Sequence, residues 1–449
     1  MMFWEPTNAS TPALMEPKFN HMVTYGQLHE KVSSFVERLS CFSSTKQLGI
    51  IFARNTVDSV VAYLAALNKK DAVLLLDASL KDELRQNFIR TYKPDWIFDK
   101  ELIQFNNTGS QEPHPDLAVL LTTSGSTGNP RVVRLSYNNL QSNAVSIAEY
   151  LDITNTERPI TTLPMAYSYG LSIINSHLHK EATLILTDES VISTRFWELF
   201  NACEATSFAG VPYLYQMLHR LRFDRMVLPS LCSFTQAGGR LPEKLAEYFT
   251  RAAQNKNCKF TMMYGQTEAT ARISYVPHAK LTEKLGSIGI AIPGGKLELD
   301  KHTSELLYMG PNVMMGYAES RGDLTKGDLL NGTLRTGDVG RQDEDGYFWL
   351  EGRIKRFIKL YGLRMNLDDI ERFIGTEISM PIACVGKDEL ITVVLEGLED
   401  MEIKSFIRIK LKEQYNIHHT CVNVVFKEVL PVLENGKIDY GKLKEEVLV

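Results

Sequence analysis

Thr122-Thr123-Ser124-Gly125-Ser126-Thr127-Gly128-Asn129-Pro130-Arg131 places hydroxyls, two glycines and a terminal cation directly behind the apolar run Ala118-Val119-Leu120-Leu121. The apolar run suits a buried strand, and glycines after it let backbone N–H groups approach an anion without a Cβ in the way. Hydroxyls at Ser124, Ser126 and Thr127 add donors, so the segment reads as a phosphate-holding loop. It is not a Walker loop, which needs Gly-Lys-Ser/Thr where this chain has Gly128-Asn129-Pro130-Arg131. Taken alone, a Gly/Ser/Thr-rich stretch is more often a surface turn.

Three further segments bear groups suited to nucleotide chemistry. Tyr264-Gly265-Gln266-Thr267-Glu268 joins an aromatic ring, a hydroxyl and a carboxylate. In isolation Tyr264 reads equally as a core aromatic. Arg335-Thr336-Gly337-Asp338 is followed by Gly346-Tyr347 and Gly352-Arg353. Asp338 has the geometry to accept from two vicinal hydroxyls, and reads as readily as a turn-forming Asp. Asn435-Gly436-Lys437-Ile438-Asp439 ends the series, with Lys437 in an Asn-Gly turn that on its own suggests a solvated hairpin lysine.

In order and approximate spacing these four motifs resemble the adenylate-forming superfamily. Acyl- and aryl-CoA synthetases, peptide-synthetase adenylation domains, carrier-protein ligases and luciferases belong to it. The resemblance runs from near Thr24-Tyr25 to the C-terminus. It implies an acid–thiol ligase that uses ATP and Mg²⁺ to convert a carboxylic acid to an acyl-AMP. The acyl group then passes to coenzyme A or to the phosphopantetheine of an acyl or peptidyl carrier protein. Catalysis of this kind is mostly positioning and charge neutralisation.

By the same resemblance, Thr123, Ser124, Gly125, Ser126, Thr127, Gly128 and Arg131 would hold the β- and γ-phosphates, Arg131 standing where lysine is usual. Tyr264 and Gly265 would meet the adenine, with backbone contacts from Gly238 and Gly239. Thr267 would contact the α-phosphate, and Glu268 would bind Mg²⁺, which favours one or two carboxylates beside phosphate oxygens. Asp338 would accept from the ribose hydroxyls and Arg353 would complete the clamp. Lys437 would stabilise the developing charge. Rotation of a smaller C-terminal domain about Lys355 would exchange Lys437 for Lys359, and a pantetheine arm would pass Gly362. A basic patch around Arg356, Lys359 and Arg364 would attract coenzyme A or carrier phosphates, its alternative being a solvated face. Leu367 and Asp369 depart from the family pattern, and so do Arg131, Val132, Tyr137, Tyr167 and Tyr440, which admit a second reading as a catalytically weak adenylate- or acyl-binding protein.

Thr161 to Leu171 resembles the segment that gates the acyl substrate. Amino-acid-activating members carry a Phe-Asp pair there, whereas Ala166 and Tyr167 offer no charge, so α-amino acids are disfavoured. Tyr167, Tyr169, Gly170, Phe208, Val211 and Tyr213 suggest a moderately aromatic pocket, though each aromatic reads equally as core. Uncharged acyl, hydroxyacyl or aryl acids of small size are expected.

These groups need a scaffold. Leu48 to Phe52, Val57 to Leu67 and Ala72 to Leu76 alternate strand and helix patterns, the rhythm of a layered α/β domain. At 449 residues, two domains are expected: a large layered α/β domain over 1–353 and a small mobile α+β domain over 354–449 that carries Lys437. A net charge of -5 without a basic cluster argues against nucleic acid. No apolar run reaches spanning length, so a cytoplasmic protein with no membrane insertion is expected. Cys41, Cys203, Cys232, Cys258, Cys384 and Cys421 lack metal-ligand spacing and read as buried free thiols.

Overall fold

The structure is a computed structural model that describes residues 2–41, 43–105, 111–122, 131–360, 363–378, 380–433 and 438–448. Thr123, Ser124, Gly125, Ser126, Thr127, Gly128, Gly362 and Lys437 lie outside the described residues, as do the side chains of Lys355 and Arg364.

Apolar runs without polar alternation form strands covered on both faces. Leu117–Thr122, Ala72–Asp77, Leu48–Ala53 and Trp96–Asp99 pair in parallel in that order. Val132–Ser136 and then Gly316–Ala318 extend one edge antiparallel, and Glu101–Gln104 extends the other, giving a seven-stranded sheet. The helix Val57–Asn68 crosses between two of these strands, its first turn capped by Thr56, whose hydroxyl accepts from the Ser59 N–H. The expected strand–helix–strand alternation is present.

A five-stranded sheet carries the chemistry-bearing turn. Ser207–Gly210, Ser233–Gln236 and Lys259–Tyr264 run parallel, and Ser274–Tyr275 and Ile290–Ala291 continue antiparallel. An aromatic core supports it, with Phe208 stacked on Phe234 at 5.4 Å between centroids and Phe260 on Phe234 at 4.8 Å. In open α/β sheets ligands bind beyond the carboxyl ends of the strands, the end at which Tyr264 stands.

By compactness the chain divides into Met1–Leu297 with Tyr308–Leu334 and Asp345–Tyr347, and Glu298–Leu307 with Arg335–Glu344 and Phe348–Val449. This differs from a cut between 353 and 354. The hairpin Thr333–Gln342 with Phe348–Arg353 groups largely with the C-terminal residues, because the Asn366 side chain donates to the Glu351 carbonyl and the helix Leu367–Glu377 packs on Phe348–Arg353. Further along the second unit, Ile382–Lys387, Leu390–Glu396 and Val422–Lys427 form a sheet over a core that includes Ile370, Ile374, Ile407 and Leu411.

Several departures from the family pattern are absorbed by packing. Val132 is fully buried in its strand. Tyr137 opens the helix Tyr137–Tyr150, donates to the Asp71 carbonyl at 2.9 Å and lies under Lys46 and Lys70. Leu367 is buried at the start of its helix, which Asn366 caps by accepting from the Asp368 N–H. Of the cysteines, Cys384 and Cys421 are buried, whereas Cys41 and Cys232 are exposed, contrary to a uniformly buried set. Among the described residues no helix is long and apolar enough to cross a membrane.

Candidate active site

The chain leaves the Lys259–Tyr264 strand through a tight turn. A Cβ on Gly265 would collide with the Ala271 carbonyl, so glycine is required for the turn to fold back on itself. Thr267–Ala269 forms a single 3₁₀ turn, after which Thr270 and Ala271 take positive φ values of 59° and 151°. Such conformations cost of order 1–3 kcal/mol each and persist only where the surroundings enforce them. Asn312 does so here: it is 1% exposed and donates to the Ala269 and Arg272 carbonyls at 2.8 Å, while Thr270 donates to the Asn312 carbonyl at 2.6 Å.

The turn aligns the expected nucleotide groups. Tyr264 Oη accepts from Gln266 Nε2 at 3.0 Å. Thr267 Oγ1 lies 3.2 Å from Ser168 Oγ. Glu268 Oε1 accepts from Tyr317 Oη at 2.8 Å, and the Arg131 guanidinium stacks on the Tyr317 ring at 3.5 Å. Burial, with the Glu268 charge beside it, pushes the Tyr317 hydroxyl up, so it stays protonated and keeps donating. Arg131 is thereby held near Glu268, its Nε 3.7 Å from Glu319 at the surface.

Glu268 suits Mg²⁺ as a single carboxylate sharing the ion with phosphate oxygens. Among the described residues there is no group of three or more His, Cys, Asp or Glu side chains that could hold a metal.

Gly238 and Gly239 follow the Ser233–Gln236 strand. Gly238 has φ of 84°, and a Cβ there would approach Tyr167 Oη to 2.8 Å, so glycine admits both the turn and the tyrosine. Gln236 ties the turn by donating to the Gly239 carbonyl at 2.8 Å. Tyr167 is half-buried and Tyr169 fully buried, with Tyr169 Oη 2.8 Å from Thr235 Oγ1. Gly170 and Phe208 contribute differently from expectation. A Cβ on Gly170 would strike the Pro164 carbonyl, so its glycine serves helix packing. Phe208 belongs to the aromatic core and shows only part of its surface to the cavity beside Thr235 and Ala209. Tyr213 is 58% exposed and does not belong to the pocket.

In the second unit, Asp338 is 3% exposed and pairs across the hairpin with Arg353, whose Nε is 3.0 Å from Asp338 Oδ1 while its side chain is 64% exposed. Gly337, at φ of 73°, makes the preceding bend, and its N–H donates to the buried Glu305 carboxylate at 3.0 Å. Lys359 is exposed on the Phe357–Leu360 strand, its N–H donating to Asp388 Oδ1 at 2.9 Å. Arg356 corrects the expected basic patch: it is buried and neutralised by Asp368 and by Glu371 at 2.9 Å.

Sequence reasoning missed three residues here. Asn312 and Tyr317 lie about fifty residues downstream of the turn they serve, in a segment without a motif. Arg272 stands eight residues after Tyr264, 2% exposed, its guanidinium 4.0 Å from the centre of the Tyr169 ring.

Comparison with known proteins agrees with this geometry. Residues 91–318 match the family described as AMP-binding enzyme. An indoleacetate–CoA ligase of Aromatoleum aromaticum is 30% identical over 343 residues, a match that covers 72% of this chain and 66% of that ligase. A D-alanine–D-alanyl carrier protein ligase of Bacillus cereus is 24% identical over 488 aligned positions, covering 95% of this chain and 94% of that protein. In fold, the chain superposes on an o-succinylbenzoate coenzyme A synthetase of Bacillus subtilis in complex with ATP and magnesium, with a TM-score of 0.80, 22% identity and 99% of each chain covered. The family match extends over half of the chain and contains the whole Tyr264–Arg272 turn, so the protein belongs to the AMP-binding enzymes of the adenylate-forming superfamily and is an AMP-forming acid–thiol ligase.

Proposed function

We propose that the chain activates a small carboxylic acid with ATP and then loads it onto the thiol of coenzyme A or of a carrier protein's phosphopantetheine. In the first step a carboxylate oxygen of the acid attacks the α-phosphorus, the bond to the β-phosphate oxygen breaks, and pyrophosphate leaves. In the second the thiol sulfur attacks the acyl carbon, the bond to the AMP oxygen breaks, and the thiol proton is lost to solvent.

Thr267 donates to the α-phosphate and is oriented by Ser168. Glu268 holds Mg²⁺, which neutralises phosphate charge when bound, and Tyr317 orients the carboxylate. Arg131 supplies charge beside the loop Thr123 to Gly128, which grips the β- and γ-phosphates. Tyr264 and Gly265 take the adenine with Gly238 and Gly239, and Asp338 accepts from the ribose hydroxyls with Arg353 beside it. Lys437 stabilises charge during adenylation; turning about Lys355 then brings Lys359 in its place and admits the pantetheine past Gly362. Use of ATP and a thiol carrier supports a cytoplasmic location.

The observation that supports this reading most is the Tyr264–Arg272 turn, whose strained residues are held so that Thr267 and Glu268 stand at a strand end with Ser168, Tyr317 and Arg131 around them. Acid-dependent exchange of labelled pyrophosphate into ATP tests it. Lys437→Ala is expected to lose exchange by on the order of 100-fold, the scale of one preorganised charge-stabilising donor, yet to transfer an acyl group from synthetic acyl-AMP. Equal loss in both assays refutes the division of labour.

A further inference from the structure

Arg272 is a cation buried without a counter-ion among the described residues. Its Nε has no hydrogen-bond partner, Nη1 makes a long contact with the Ala271 carbonyl at 3.4 Å, and among the described residues no carboxylate pairs with it. Its neighbours are the phenols Tyr150 and Tyr169. They supply no negative charge: burial pushes the Tyr150 hydroxyl up to about 12 and raises that of Tyr169 further, against the pull of Arg272.

A second orphan faces the same cavity. Arg272, His177, Thr235, Ser172, Ser176 and Glu157 all line it. His177 is 5% exposed; its Nδ1 bonds the Ile173 carbonyl at 2.8 Å, and its Nε2 makes no hydrogen bond, lying 3.5 Å from Glu157 Oε2. The Glu157 carboxylate is thus engaged by His177 and, at 3.5 Å, by Ser207 rather than by Arg272. An apolar acyl chain would leave Arg272 Nε and His177 Nε2 without a hydrogen bond.

Resting on the ligase reading above, we propose that the acid activated by this enzyme is a short ω-carboxy acid, whose distal carboxylate is received by Arg272. A buried, uncompensated charge costs several kcal/mol, and a carboxylate meeting the guanidinium fork recovers much of that through paired N–H···O bonds. Arg272 lies on the ring of Tyr169, the residue next to Ser168, and Ser168 touches Thr267, where the reacting carboxylate is placed. The cavity at Arg272 measures only about 30 Å³, which limits the acid to a short one. This departs from the uncharged acids expected from Ala166 and Tyr167, because the cation that overrides them is remote from that segment in sequence.

The test is pyrophosphate exchange by the full chain with matched acids: succinate against butyrate, glutarate against valerate. The dicarboxylate is expected to exceed its methyl-terminated partner in kcat/KM by on the order of 100-fold, the discrimination of a site built around a polar partner. Arg272→Met should collapse that ratio to within about threefold, and Arg272→Lys should keep part of it, which a merely structural arginine would not do; thermal melting of each variant confirms folding. Should Arg272→Met fail to fold, the wild-type ratio and Arg272→Lys still decide. Exchange supported only by uncharged acids, or a ratio unchanged in Arg272→Met, overturns the assignment while leaving the ligase reading intact. No exchange with any acid of either set overturns this proposal, and hydroxy and aryl acids in the same assay then decide the ligase reading.

Discussion

Two arginines, one in each compact unit, are buried to a similar degree and treated in opposite ways. Arg356 is 9% exposed and sits between Asp368 and Glu371, donates to the Cys384 carbonyl at 3.0 Å and carries the Tyr440 ring 3.9 Å from its guanidinium. Arg272 is 2% exposed and has tyrosine rings and a backbone carbonyl around it, with no acid among the described residues. A fold that needs a buried cation for its own architecture supplies the counter-charge itself, as the second unit does. Where the counter-charge is missing, the cation awaits something from outside. The same contrast separates a structural site from a receptive one without reference to any motif.

Removing each cation should separate them most sharply. Arg356→Met strands two carboxylates in the second unit, and a loss of about 3–5 kcal/mol is expected in denaturant unfolding. Arg272→Met removes an uncompensated charge together with one stacking contact and weak hydrogen bonds. Its stability is expected to stay within about 1 kcal/mol of wild type, or to rise. Comparable destabilisation in both variants would erase the distinction on which the comparison rests.

Asp338 is an intermediate case, a buried carboxylate whose partner Arg353 is mostly in solvent. Such a pair contributes little to folding, since the exposed cation is screened and pays side-chain entropy. Asp338→Ala should weaken binding of ATP with Mg²⁺ by about 1.5–3 kcal/mol, the range for hydrogen bonds to a charged group. Calorimetry showing equal affinity in both proteins would remove Asp338 from the nucleotide site and leave it a structural pair like that of Arg356.

How far the sequence led obeys the same division. Parallel strands such as Leu117–Thr122 and Ala72–Asp77 were legible because full burial demands unbroken apolar runs. Tyr264, Thr267 and Glu268 were legible because a tight turn keeps them contiguous. Arg356 was misread as part of a surface patch because its carboxylates lie 12 and 15 residues away, on a helix whose docking the local pattern does not show. Arg272 escaped notice because a lone cation outside any motif looks solvated, and its burial is made in part by Tyr150 and Tyr169, more than a hundred residues earlier. Tyr213 failed in the reverse sense: the helix Pro212–Arg220 turns it outward, while Leu214 and Tyr215 face the core.

Tyr440 offers the finest probe of the neutralised cluster. It stands where the family commonly has arginine, and here its hydroxyl donates to Glu371 Oε1 at 2.6 Å while its ring covers the Arg356 guanidinium. Burial raises the phenol far above its ordinary range, and the Glu371 charge adds to the effect, so the proton stays on Tyr440 and the donation persists at all working pH values. Tyr440→Phe keeps the ring over Arg356 and deletes only the bond to Glu371. With Glu371 still paired to Arg356, the expected loss is about 1–2 kcal/mol in unfolding free energy, smaller than that of Arg356→Met, with pyrophosphate exchange per folded molecule unchanged. The double variant Arg356→Met/Tyr440→Phe should be less destabilised than the sum of the two, since both act on one carboxylate. Additive losses would mean that Tyr440 and Arg356 serve Glu371 independently, and that the second unit holds two separate contacts in place of one neutralised cluster.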